Sequence, residues 1–260
     1  VKYRLVHSTL KTVVFWFLLV VGTLTVQAES VTFGVFLAPP WGIEHDGEVR
    51  GITVDHIKVI TSAAGLDVKF SVAPYLRMIK QLEYGEIDCI IADTHPDSSE
   101  AVAYLSSLYS LNVSVVSRKD KKFKNDQQLM STPAKSVVGF ANGTGHYHSA
   151  LFNSKQVDLQ LVRGHAQAPL MLSRKRVDAF VGIERLLLYE LRQSNALNQM
   201  YFPGYKVNQL QMWLQCSKNS ENFTQYAPKL IAAADLLKKN KVIIDIVNQW
   251  IPQITLEELE

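Results

Sequence analysis

The chain has 260 residues, 47% hydrophobic and 20% charged, with two cysteines and 27 Lys+Arg against 24 Asp+Glu. That is globular composition, which excludes a disordered, collagenous or disulfide-scaffold chain. Residues 1–28 carry Lys2, Arg4 and Lys11 and no acid, so the remainder holds 24 basic against 24 acidic side chains and lacks the excess a nucleic-acid partner requires.

Those three basic residues precede the uncharged stretch Thr12 to Ala28, whose apolar heart runs from Val13 to Val21. Val26-Gln27-Ala28 then offers small residues where a signal peptidase reads. The expectation is a signal peptide over 1–28, cleaved after Ala28, and a soluble periplasmic product. A membrane anchor is the competing reading. It needs about 20 continuous apolar residues, and Gly22, Thr23 and Thr25 break the run.

Strand and helix patterns then alternate. Val31–Phe36 reads as a strand stopped by Pro39-Pro40, and Val54, Ile57, Ile60 and Ala64 recur at helical spacing. Val68–Val72 is a strand; Met78, Ile79 and Leu82 mark a helix ending at Gly85; Ile87–Ala92 is a buried strand. This βαβαβ order implies a mostly parallel sheet with helices on its faces. Leu111–Ser117 is a further strand, and the run Arg118-Lys119-Asp120-Lys121-Lys122 reads as a solvated loop.

A second set follows. Its strands are Ser136–Phe140, Val157–Val162 and Val177–Gly182, with helical signals over Gln167–Arg174 and Glu184–Arg192. The chain returns through a strand near Gln209–Cys216 and ends in two helices. Two α/β lobes of about a hundred residues each fit this length. Cys89 and Cys216 read first as buried strand residues, with one disulfide between them as the alternative.

Several phrases in this order resemble the bacterial extracellular solute-binding proteins of the polar amino-acid type, family 3. They are the Val31–Trp41 strand and loop, Gly51-Ile52-Thr53-Val54-Asp55, Leu82-Glu83-Tyr84-Gly85-Glu86-Ile87-Asp88, Arg176-Val177-Asp178-Ala179 and the C-terminal helices through Trp250. The resemblance implies a type II two-lobe clamp, with lobe 1 over 29–115 plus 212–260, lobe 2 over 116–211, and two hinge strands. A small polar solute, an amino acid or a related organic acid or amine, would lie in the interlobe cleft. No cofactor is implied. The partners would be that solute and an inner-membrane permease of an ABC importer, or a sensor receptor, with the protein itself a monomer. A few proteins of this fold are dehydratases, so His146 with Glu184 forms an alternative acid/base pair.

The binding candidates follow from position. Trp41 lies past the first strand and can stack on a ligand or attract its cation; lobe packing is the other reading. Tyr75 and Arg77 open the helix after Pro74, and Arg77 offers a fork for a carboxylate, or a surface ion pair. Asp93 and Thr94 end the buried strand; a carboxylate there can take an amine or cap a helix. Asn142-Gly143-Thr144-Gly145 leads into a helix, where backbone N–H groups and the Thr144 hydroxyl would seat an anion, or form an ordinary turn. Amino-acid binders of the family usually carry an Arg after the Asp93-Thr94 position for the ligand's α-carboxylate, and an Asp near position 183 for its amino group. Here Thr94 to Glu100 contains no Arg and Ile183 is followed by Glu184, so either Arg77 and Glu184 substitute as ligand-binding residues or the ligand is something else. His146, His148 and His165 invite a metal reading, but i, i+2 histidines share no helix face and no cysteine is near.

Overall fold

Val31, Phe33 and Val35 alternate along the first strand, β1 (Ser30–Val35), and all are buried, as a period of two dictates. The computed structural model describes residues 30–94, 100–132 and 134–253. The signal-peptide reading therefore lies outside the described residues, as does most of the Arg-less segment after Thr94. After β1 come β2 (Ile43–His45), β3 (Glu48–Arg50), α1 (Ile52–Ala64), β4 (Asp67–Val72), α2 (Tyr75–Tyr84), β5 (Cys89–Asp93) and β6 (Val102–Arg118). The middle of the chain forms α3 (Asp126–Met130), β7 (Ser136–Ala141), α4 (Ser149–Phe152), β8 (Val157–Val162), α5 (Ala168–Ser173), β9 (Ala179–Ile183) and α6 (Glu184–Gln193). It closes with β10 (Met200–Ser217), α7 (Phe223–Lys239) and α8 (Val242–Trp250). No helix among the described residues is long and apolar enough to cross a membrane.

Eight strands form one sheet in the order β4-β1-β5-β10-β6-β9-β7-β8. The two ends are parallel, β4-β1-β5 in one lobe and β9-β7-β8 in the other. β10 and β6 join them as an antiparallel pair: β10 bonds to β5 through Met212–Cys216, and β6 to β9 through Val113–Ser117. These are the two hinge strands, and both are longer than the sequence predicts. Their additional halves are Val102–Ser110, which holds three Ser, and Met200–Asn208, which holds Pro203, Gly204 and Asn208, and the pairing is interrupted by register shifts, two of them near Tyr201 and Lys206. The β2–β3 hairpin also goes unpredicted. It turns on Asp46 and Gly47, both at positive φ, the backbone that an Asp-Gly pair supplies in a tight hairpin.

β5 shows why the first lobe is stable. Cys89 and Ile91 point into a core shared with α1 and α7, while Ile90 and Ala92 point into a second core with Met78, Ile79 and Leu82 of α2. Helices cover both faces, so the strand is continuously apolar. Both cysteines are buried strand residues, as read from the sequence, and of the alternatives left open the structure shows the paired one: Cys89 and Cys216 are disulfide-bonded. Antiparallel register sets them directly opposite, with Cα atoms 4.0 Å apart, and spacing along the chain does not reveal register. The basic run is also less solvated than expected. The Arg118 side chain is only 11% exposed, bonding Asp120 at 2.9 Å and the Val177 carbonyl at 3.0 Å, and Lys121 pairs with Asp178 at 2.9 Å.

Candidate functional site

A cleft of about 570 Å³ opens between the lobes, at the carboxyl ends of β1, β4 and β5 on one side and of β7, β8 and β9 on the other. Clefts at such strand ends are where open α/β sheets bind ligands. Lobe 1 supplies Phe36, Trp41, Tyr75 and Asp93; lobe 2 supplies Asn142 to Thr144, His146, Tyr147, Arg163, His165 and Glu190; Leu111 and Met212 of the hinge strands also line it. A wider depression of about 820 Å³ lies at the opposite ends of β1 and β4, beside Ser30, Lys58 and Lys69. Its lining has no aromatic ring and comes from one lobe.

The two walls meet at Asp93. Asp93 is 7% exposed, and its carboxylate accepts from the Tyr75 hydroxyl at 3.3 Å; Oδ2 lies 3.4 Å from Nε2 of His146, on the other lobe. Phe36 packs edge-on against Tyr75, with ring centroids 5.3 Å apart. Burial, reinforced by the Asp93 charge, drives the phenols of Tyr75 and Tyr147 far above the usual tyrosine range. Both therefore stay protonated.

Behind His146 the rings continue. Tyr147 lies 4.7 Å from His146 and 6.5 Å from His165, which in turn meets Phe180 at 6.0 Å. Burial pulls His165 down to about 4, with the Asp93 charge opposing, so its imidazole is neutral at pH 7. Its Nε2 is sealed from solvent and has no hydrogen-bond partner. Gly182 makes this packing possible: a Cβ there would stand 2.6 Å from His165 Cδ2.

The candidates divide. Trp41, Tyr75, Asp93, Gly143 and Thr144 line the cleft, whereas Arg77, Thr94 and Glu184 do not. Arg77 lies two residues past Tyr75 on α2, roughly 200° around the helix, and is exposed. Thr94 is exposed just beyond β5. Glu184 accepts from Ser114 Oγ at 3.1 Å, while the cleft-facing residues of this stretch are Ile183, Leu186 and Glu190, spaced i, i+3, i+7.

Two lining residues differ from their expected roles. Trp41 is 3% exposed and its indole N–H donates to Tyr109 at 3.1 Å, so it is wall and core together. The Gly143–Thr144 turn does not open a long helix. Gly143 takes φ 82, and both the N–H and the hydroxyl of Thr144 donate to the Ala141 carbonyl, at 3.2 and 2.8 Å.

His148 lies outside the cleft. Its Nε2 is 2.9 Å from Asp126 Oδ1, which also accepts from Tyr205 at 2.8 Å. This cluster ties the turn bearing His146 and Tyr147 to α3 and β10. No group of three metal-ligating side chains occurs among the described residues. Sequence reading singles out neither Phe36, Tyr147, Arg163 nor Glu190. Strand-end position was the available signal for Phe36 and Arg163, which follow β1 and β8.

The chain matches the model of the bacterial extracellular solute-binding proteins, family 3, over residues 31–259. It is 23% identical over 188 residues to an arginine-binding periplasmic protein of Mannheimia haemolytica, spanning 71% of this chain and 74% of that one. It superimposes on the GluR0 ligand-binding core complexed with L-glutamate at a TM-score of 0.71, with 17% identity over 87% of this chain and 99% of that one. A histidine kinase sensor domain similar to periplasmic binding proteins gives 0.70, with 16% identity over 87% and 96%. These two share its fold. With two lobes, two hinge strands and a cleft at the strand ends, and matched by that family's model over nearly its whole length, the chain belongs to the bacterial extracellular solute-binding proteins, family 3.

Proposed function

We propose that this protein captures a small polar solute, an amino acid or a related organic acid or amine, in its interlobe cleft in the periplasm and passes it to an ABC importer. One observation carries the reading: polar groups from both lobes converge on one point, with Asp93 and His146 3.4 Å apart across the cleft. A solute that touches both walls favours the arrangement in which they approach. An arginine-binding relative and a glutamate-bound structural neighbour support a ligand of amino-acid size. They differ in side-chain charge, so the ligand must be argued from the cleft itself. The likeness to a histidine kinase sensor domain favours a second use of the same clamp, as the ligand module of a receptor.

The test is to express the chain with its leader, purify it from the periplasm, denature it and identify the released solute by mass spectrometry. A stoichiometric small solute is expected. Restoring it to stripped protein should lower the radius of gyration in small-angle scattering. An unchanged radius with a calorimetrically saturated site would sink the clamp. Chemical conversion of the solute during incubation would favour the dehydratase-like alternative.

A further inference from the structure

Resting on the reading that the cleft captures a solute, we infer that the solute is a compact organic cation, an amine or guanidine whose positive group seats on Asp93, and that it needs no carboxylate. The placement of charge carries this. Asp93 is a buried carboxylate at the meeting point of the walls, and among the described residues no lysine or arginine pairs with it. Taking a carboxylate out of water without a cation is expensive. Tyr75 and His146 supply contacts at 3.3 and 3.4 Å, both long for bonds to a carboxylate. A ligand ammonium or guanidinium entering here gains a charge-assisted hydrogen bond and displaces or turns the His146 ring.

The surroundings suit a cation. Phe36, Tyr75 and Tyr147 present aromatic rings to the same space, and a ring face within about 6 Å attracts a positive group. A second carboxyl, Glu190, lines the lobe 2 side, and burial raises its pKa.

Among the described residues, the seats that the sequence offers an α-carboxylate are not in place. Arg77 faces away from the cleft, the chain from Asp93 to Glu100 contains no Lys or Arg, and the donors of Thr144 are committed to Ala141. Arg163, exposed on the lobe 2 wall, is the cationic side chain among the described lining residues. It stands on the lobe opposite Asp93, so a carboxylate on Asp93's own wall would face the Asp93 charge with no lysine or arginine beside it among the described residues.

The experiment compares amino acids with their decarboxylated partners by calorimetry on stripped wild-type protein: L-arginine with agmatine, L-lysine with cadaverine, L-histidine with histamine, plus L-glutamate and succinate. At least one amine is expected to bind as tightly as its parent or tighter, and Asp93→Asn should weaken it about thirtyfold or more, the loss typical of a desolvated charge pair. Melting of ligand-free Asp93→Asn checks that it folds, and the wild-type comparison stands without the variant. The inference fails if an amino acid binds while its amine is more than tenfold weaker, if Asp93→Asn binds unchanged, or if none of the amines binds. L-glutamate or succinate binding with compaction would overturn it and leave solute capture standing. Absence of binding by all probes together with no copurifying solute would sink both.

Discussion

Cys89 on β5 and Cys216 on β10 face each other in antiparallel register and are covalently joined, both fully buried. The same register sets Asp93 opposite Met212, so the bond fastens a hinge strand to the strand that delivers the cleft carboxylate. It closes 127 residues of chain. Removing a native disulfide costs about 2–5 kcal/mol, and one kcal/mol moves the midpoint of a chain this size by roughly 2–4 °C. Cys89→Ala/Cys216→Ala should therefore melt roughly 4–20 °C below wild type. Thiol titration of unreduced, denatured wild type should find none. An unshifted melt, or two titratable thiols in protein purified from the periplasm, would rule out this role.

Stability should fall in mild acid. His56 is buried in lobe 1, its Nε2 2.8 Å from the Ile243 carbonyl, and burial pulls it down to about 4, with that hydrogen bond and Asp55 opposing. His165 is likewise near 4. Both bind protons more weakly when folded, so the unfolded chain takes up more protons between pH 6.5 and 4. Each histidine then subtracts about 1.4 kcal/mol per pH unit as pH falls through that window, and neither acts above it. Urea midpoints measured from pH 8 to 4 should be flat above 7 and decline below 6.5. A His56→Gln variant should decline less steeply; an identical slope would mean His56 is protonated freely in the native state.

Much of this architecture is legible along the chain, for identifiable reasons. β1, β5 and β9 are apolar on one face or both and are bounded by Pro, Gly or charge, so periodicity finds them. β6 and β10 are half invisible because the unpredicted half of each pairs with the predicted half of the other, and register shifts in that pairing break the alternation. The cleft shows the same limit. Tyr75 and Asp93 are found because strand and helix ends point there. Arg77 and Glu184 fail to reach it because one or two residues of helix rotate a side chain by roughly 100–200°. Tyr147 and His165 are brought in by a short turn and by the space that Gly182 leaves, neither of which a sequence pattern encodes.

That space makes a direct prediction. A methyl at Gly182 would press on His165 Cδ2 at 2.6 Å and Nε2 at 2.9 Å, with Leu187 Cδ1 at 3.3 Å behind. Overpacking of this kind costs about 1–3 kcal/mol. Gly182→Ala should lower the melting temperature, and Gly182→Ala/His165→Ala should lose less than the two single changes added together, since the ring that suffers the clash is gone. Residues in contact couple in this way. Strict additivity would show that the strand, not the ring, absorbs the methyl.

Arg77 gives the last prediction, because sequence and structure lead to opposite expectations. Read along the chain, it is lobe 1's best carboxylate fork. In the fold, Tyr75 occupies the cleft-facing position of the first turn of α2, and Met78, Ile79 and Leu82 take the face that packs on β5. Arg77 is left on the remaining arc, exposed and outside the cleft lining. An exposed charge away from the ligand acts only through a screened field, with a Debye length of about 8 Å at physiological salt. Arg77→Ala should thus leave the affinity for the copurified solute within about threefold and stability within about 0.5 kcal/mol, while Tyr75→Phe, which removes the hydroxyl donor to Asp93, should weaken binding more. Calorimetry on both variants decides the matter. A tenfold or greater loss in Arg77→Ala, with an unchanged melt, would mean that α2 turns on closure and brings the guanidinium into the cleft after all.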